Sequence, residues 1–190
     1  KMKPFHVHHP EGRRMPVLVS IPHCGVSFPE ELIDQYKPRL IEAPDDTDWF
    51  VNQLYDFAPQ MGITLITAVH SRWVIDLNRD PENKPLYSDG RIITGLCPTT
   101  NFLGESIYID NRGAVDPADV ARRLKDYYWP YHSELTNLLE SLKSEFGQAL
   151  IWDAHSIRAE VETIYKGRFP DLILGDVDES SATDSIIGTA

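Results

Sequence analysis

The strongest constraint on this chain is a set of short apolar runs, rich in β-branched residues, each stopped by a breaker or a polar residue. Val17-Leu18-Val19-Ser20-Ile21 ends at Pro22, and Ala149-Leu150-Ile151-Trp152 ends at Asp153. Ile63-Thr64-Leu65-Ile66-Thr67 is a third run of the kind. These runs are continuous, not alternating, so as strands they are covered on both faces. Residues 73–77 and 172–174 read the same way, and shorter strands are expected over 91–94 and 106–109. The last two fall in a Gly-, Pro-, Asn- and Asp-rich excursion, 79–113, of a length that often carries function.

Helical patterns separate the strands. Asp45-Asp46-Thr47-Asp48 precedes Trp49, Phe50, Val51, Leu54, Tyr55 and Phe57, a capped helix start. Asp116-Pro117 reads as an N-cap with Pro at the first helical position. From there Val120, Leu124, Tyr127, Tyr131, Leu135, Leu138 and Leu142 recur on one helical face. Pro130 is expected to bend or break that helix and Gly147 to end it. The alternation places the chain in the α/β class: a mostly parallel or mixed central sheet with helices on both faces. Ligands of such sheets sit beyond the carboxyl ends of the strands.

The 190 residues carry 18 Lys+Arg against 29 Asp+Glu, a formal net charge of -11. That excludes the basic footprint of a nucleic-acid or membrane-surface protein. No apolar run reaches the length of a membrane span, and no apolar segment follows the basic start as a secretory signal requires. Cys24 and Cys97 form no CxxC pair and no disulfide framework, which points to a reducing cytoplasm. The length suits one domain over 1–190.

Chemistry-bearing residues follow the strands. His23 comes two residues after the first, Asp153 and His155 follow the 149–152 run, and Asp46 and Asp48 sit at a helix start. Two His and one carboxylate make a catalytic zinc set with one position open for water. Singly, each has a plainer reading: a turn histidine, or a helix cap. His6, His8 and His9 read as a solvated arm, and His70 and His132 as structural. Arg72 and Arg79 bracket the 73–77 run, with Asn78 beside them. In an acidic chain they form either a local anion site or pairs for the protein's own carboxylates. Cys24 reads as a small buried thiol. Phosphate-loop, dinucleotide and GxSxG patterns are missing.

Taken in order, Ile21-Pro22-His23-Cys24-Gly25, Asp46-Thr47-Asp48-Trp49, Ser71-Arg72, Val74-Ile75-Asp76-Leu77-Asn78-Arg79 and Asp153-Ala154-His155-Ser156-Ile157-Arg158 resemble the N-formylglutamate amidohydrolase family. Trp129-Pro130-Tyr131-His132 and Pro170-Asp171 with Leu174-Gly175 continue the resemblance, which spans about 17–175. Cys24 departs from the small residue common there. The resemblance implies a fold similar to zinc exopeptidases and aspartoacylase. It implies zinc-dependent release of formate from N-formyl-L-glutamate, as in histidine degradation. The zinc ligands would be His23, His155 and Asp48, with Asp46 the alternative to Asp48. Arg72 would polarise the scissile carbonyl, and Asn78 and Arg79 would hold one substrate carboxylate. Arg158, and less surely Arg168, would meet the other. The partner is thus a small anionic amino acid.

The family's glutamate general base has no counterpart in a Gln-x-Glu stretch here, and Glu160 and Glu162 lie on the wrong side of the motif. The base is therefore expected outside this chain, which would lack the C-terminal third of the family fold. Two alternatives stay open: a zinc hydrolase of another N-acyl amino acid or peptide, and a metal-binding but inactive fragment.

Overall fold

A computed structural model describes residues 3–84, 94–161 and 165–175. The chain divides into two units, Lys1–Ile157 and Arg158–Ala190.

The first unit is built on a four-stranded mixed sheet. Its strands are β1 (Phe5–His8), β2 (Val17–Ile21), β3 (Thr64–Ala68) and β4 (Leu150–Asp153), in the order β1-β3-β2-β4. β2 runs parallel to both β3 and β4, and β1 is antiparallel to β3. The expected burial on both faces is present in β2 and β3 but not in β4, whose Leu150, Ile151 and Trp152 are exposed at the edge of the sheet. Phe5, Leu18, Ile66 and Ala68 join the larger core, whereas Val19, Ile21 and Leu65 face a second cluster with Val51 and Ala154. β1 corrects the expectation of a solvated histidine arm: His6 and His8 lie in a strand paired with Thr67 and Leu65.

Five α-helices are described beside this sheet: α1 (Glu30–Ile33), α2 (Pro38–Ile41), α3 (Val51–Leu54), α4 (Pro117–Arg123) and α5 (Trp129–Phe146), the last being the longest. Asp116 caps α4 by accepting from the Ala118 amide at 2.8 Å. Gly147 ends α5 at φ 76°, its amide donating to Lys143 O. Tyr131, Leu138 and Leu142 bring the expected apolar face into the core. Pro130 neither breaks nor ends the helix. A π turn, Leu124–Tyr128, joins α4 to α5 just before it, with the Trp129 amide donating to Leu124 O, so Pro130 falls in the first turn of α5.

Three strand expectations fail. Residues 73–77 form turns, although Trp73, Val74 and Ile75 are buried. Their carbonyls are met by side chains instead of a neighbouring strand. Tyr36 Oη donates to Trp73 O, Arg123 Nη1 to Val74 O, and His132 Nε2 to Leu77 O. The apolar run signalled burial, not extension. Ser106 and Tyr108 make single bridges to Thr100 and Tyr36 and no strand, and 91–93 lie outside the described residues. Residues 172–174 are exposed and unpaired; the second unit instead carries an antiparallel pair, β5 (Glu160–Val161) and β6 (Tyr165–Arg168). The helix expected from 45 onward shrinks to α3, preceded by Phe50 in the left-handed region at φ 66°. Neither Asp46 nor Asp48 caps it. Among the described residues no helix is long and apolar enough to cross a membrane.

Candidate metal centre

The parallel strands β2 and β4 deliver two histidines past their carboxyl ends. His23 follows β2, and His155 follows β4. The loop bearing Asp48 is tied to the first of these, because the Asp48 amide donates to His23 O at 3.0 Å. The loop after β2 also runs hard against the 69–71 segment: a Cβ at Gly25 would stand 2.3 Å from His70 O. Ser71 N donates to Ser27 O, which brings the turn carrying Arg72 and Asp76 alongside.

His23, Asp48 and His155 converge, with one ligand atom of each within 4.8 Å of the others. The imidazoles lie 4.8 Å apart, inclined at 52°. Each is oriented by its own carboxylate. His23 Nε2 is 2.7 Å from Asp76 Oδ1, and His155 Nε2 is 2.9 Å from Asp153 Oδ2. An ionised carboxylate only accepts, so Nε2 is the donor in both rings. Nδ1 of each then faces Asp48 Oδ2, at 3.7 Å for His23 and 3.1 Å for His155. Asn78 places its side-chain amide 3.2 Å from His155 Nε2.

The surroundings distinguish the two aspartates. Asp46 turns away: it accepts from Trp73 Nε1 at 2.9 Å and from the Phe102 amide. Burial, only partly offset by the Trp73 hydrogen bond, raises its pKa. Burial acts on Asp48 too, but hydrogen bonds and charge from His155 and His23 outweigh it and hold that carboxyl well below the usual range. For His155, burial alone would lower the pKa, but Asp153 and Asp48 raise it to about 9. Asp76, with no exposed surface, is likewise pulled down against its burial by Arg72 and His23. It also accepts from Arg72 Nη2 at 2.6 Å and from the Asn78 amide at 2.9 Å.

This donor set fits a cation. Two imidazole nitrogens and one carboxylate are the combination of an open tetrahedral site. The carboxylate on the far nitrogen of each histidine is the usual way of setting a metal-binding ring. Among the described residues the buried His23 Nδ1 has no hydrogen-bond partner, a costly arrangement unless another group meets it.

The remaining residues named from sequence are placed as follows. Among the described residues Arg72 donates only to Asp76, and its guanidinium lies 4.9 Å over the Phe102 ring. Arg79 is fixed in its own loop, Nε donating to Thr94 O and Nη1 to Asn78 O. Arg158 opens the second unit, where Arg168 pairs with Asp171 at 3.5 Å. Burial pushes the Cys24 thiol up to about 11, which suits an inert side chain. A cavity of about 470 Å³ beside β1 and β3 is lined by His6, His8, Cys24 and Asp56 but by none of the three converging residues. The centre is therefore defined by its donors, not by cavity size. Asp76 and Asp153 are the functional candidates to which the sequence reading gave no role. The usable signals were the carboxylate two positions before His155 and the rule that a ligand histidine needs a second partner.

Residues 15–190 match the family model described as N-formylglutamate amidohydrolase. The chain is 40% identical over 169 residues to the N-formylglutamate deformylase of Pseudomonas putida, covering 88% of this chain and 61% of that protein. It is 42% identical over 162 residues to that of Pseudomonas aeruginosa, covering 85% and 59%. It thus spans about three-fifths of the length of these curated relatives. The crystal structure of N-formylglutamate amidohydrolase from Ralstonia eutropha superposes with a TM-score of 0.78 at 26% identity, covering 98% of this chain and 71% of that one. Gene product Atu2144 of Agrobacterium tumefaciens shares the fold, with a TM-score of 0.66 at 20% identity over 90% of this chain and 62% of that one. With its α/β fold, its converging His-Asp-His set and a match over nearly its whole length, the chain belongs to the N-formylglutamate amidohydrolase family.

Proposed function

We propose that this chain carries the metal centre and substrate anchors of a zinc-dependent amidohydrolase that cleaves N-formyl-L-glutamate to L-glutamate and formate. One observation carries the reading. Two histidines, each with a carboxylate on Nε2, aim Nδ1 at the same aspartate, and among the described residues the buried His23 Nδ1 has no hydrogen-bond partner. The deformylase relatives supply the substrate class.

His23, Asp48 and His155 would hold the zinc. When bound, zinc supplies Lewis-acid polarisation of an amide carbonyl and makes water nucleophilic near neutral pH. The chain's own residues supply the rest. Asp76 and Asp153 accept from Nε2 of the two rings and so orient Nδ1 of each toward Asp48. Among the described residues Arg72 is anchored on Asp76 through Nη2 alone, so Nε and Nη1 remain to donate to an oxyanion. Each such preorganised donor is worth roughly 3–4 kcal/mol in other acyl-transfer sites. Asn78, and Arg79 held by its bonds to Thr94 O and Asn78 O, form the anchor for one carboxylate. Arg158, three residues beyond His155, is the anchor proposed for the other.

The test is formate release from N-formyl-L-glutamate by the purified intact gene product. Activity is expected to vanish on chelation, return with zinc and be absent in His155→Ala. Arg79→Ala should raise KM for N-formylglutamate more than for neutral N-formyl amino acids. Zinc uptake without formate release would support a binding protein instead. Full activity after chelation overturns the metal assignment.

A further inference from the structure

The two orienting carboxylates are themselves held differently. Asp76 has no exposed surface and is gripped by Arg72 and a backbone amide. Asp153 is 40% exposed, and its only cationic partner among the described residues is His155 itself. A carboxylate in that position is free to rotate toward solvent unless a neutral group pins it.

The sheet register provides that group. Ser20 and Asp153 are direct partners across the parallel β2–β4 pair, and Ala154 N donates to Ser20 O at 2.8 Å. Ser20 Oγ donates to Asp153 Oδ1 at 2.7 Å, leaving Oδ2 for His155. A serine hydroxyl carries one proton. With that proton on Asp153, the 3.0 Å contact between Ser20 Oγ and Tyr131 Oη requires the tyrosine to donate. Ser20 and Tyr131 are 2% and 1% exposed, so water does not compete with either link. Tyr131 sits in the first turn of α5, immediately after the π turn, and α5 packs on β2.

We propose that Tyr131 and Ser20 are positioning residues. Their hydroxyls form a directed chain, Tyr131 to Ser20 to Asp153 to His155, that sets the carboxylate and through it the His155 ring for metal binding. The inference rests on the zinc reading above and extends it from the ligands into the core. The chain has no proton-transfer task. It removes rotational freedom from an exposed carboxylate, and it couples the ring to the helix packed beneath the sheet.

The experiment measures zinc affinity by competition with a chelating dye, in wild type, Ser20→Ala, Tyr131→Phe, the double variant and His155→Ala. Melting temperatures are recorded on the zinc-free proteins. Both hydroxyl deletions add no volume, so the fold should be retained. Ser20→Ala is expected to weaken zinc binding about tenfold, the lower end for losing an outer partner of a ligand. Tyr131→Phe is expected to weaken it severalfold in the wild-type background and not at all beside Ser20→Ala. A purely structural role would move the melting temperatures and leave zinc affinity alone. Equal zinc affinity in wild type and both single variants overturns the relay while leaving the metal centre standing. An additive Tyr131→Phe effect in the Ser20→Ala background overturns the ordering. A wild type that takes up no zinc, or a His155→Ala variant that binds as well, overturns the metal reading and this inference with it.

Discussion

Removing the Asp76 carboxylate separates what the site contributes to stability from what it contributes to metal binding. Asp76 has no exposed surface, and it accepts from His23 Nε2 and the Asn78 amide through Oδ1 and from Arg72 through Oδ2. Asp76→Ala leaves a 7%-exposed guanidinium and a buried imidazole without the carboxylate each bonds. Breaking a buried ion pair in this way costs about 3–5 kcal/mol. At about 2–4 °C per kcal/mol for a domain of this size, Tm should fall by roughly 6–20 °C. Asp76→Asn keeps an acceptor at the Oδ1 position but sets an amide donor against Arg72. It should lose comparable stability while costing less zinc affinity than Asp76→Ala, for which a 10–100-fold loss is expected. The sign with pH follows from the lowered pKa. Asp76's stabilisation is present above the unfolded value near 4 and is lost as pH falls through the folded value. The acid limb of Asp76→Ala should therefore be shallower than that of wild type. Thermal melts by circular dichroism with chelator present, from pH 7 down to pH 3, test all of this. A Tm within about 2 °C of wild type at pH 7 would refute the reasoning.

Two further outcomes are expected. With chelator present, the His155 pKa of about 9 lies above the unfolded value near 6.5, so its ion pairs stabilise fully below pH 6.5 and fade as pH rises through 9. Zinc needs the unprotonated ring, so the gain in Tm on adding zinc should grow between pH 6.5 and pH 9; an equal gain at both values contradicts the ligand assignment. Arg123, with no exposed surface, donates to Tyr36 Oη, Tyr108 Oη, Val74 O and Asp119, so Arg123→Met should cost about 3–5 kcal/mol in urea denaturation. A change below about 1 kcal/mol would show that the cluster is not structural.

Sequence pattern located the sheet because its signal is local. A continuous apolar run reads as a strand covered on both faces, and β2 and β3 are, whereas β4 forms as a strand with Leu150, Ile151 and Trp152 exposed. The helix signals at Asp116 and Gly147 succeeded for the same reason: a cap is a contact between near neighbours. The 73–77 run failed because burial there is secured by partners 37, 49 and 55 residues away, the Tyr36, Arg123 and His132 side chains. No window over 73–77 contains them. β1 failed in the opposite sense. Its Phe5-His6-Val7-His8 alternation is a two-residue period, but the histidines drew attention as chemistry and hid the strand.

The site divides along the same line. Residue type and position brought His23, His155 and the pair Asp46 and Asp48 forward as candidates, because α/β sheets present their chemistry at strand ends. They did not suffice to rank Asp48 over Asp46. That choice depends on Trp73 and Phe102, which occupy Asp46 from 27 and 56 residues away. The orienting carboxylates differ in the same respect. Asp153 stands two positions before His155 and could have been found locally, since residues i and i+2 at a strand end share a face. Asp76 stands 53 residues from His23 and is reached only through the fold. Its discovery needs a question put to the sequence instead of a pattern read from it: which buried carboxylate accepts from the far nitrogen of each proposed ligand histidine? Put to His23, that question leads to the run between Arg72 and Arg79. The two arginines that suggested an anion site there are, in the structure, both within 4 Å of Asp76. An anion site and an internal pairing are thus not alternatives at this run. Asp76 takes part of the positive charge to orient His23, and only what the arginines retain is left for a substrate.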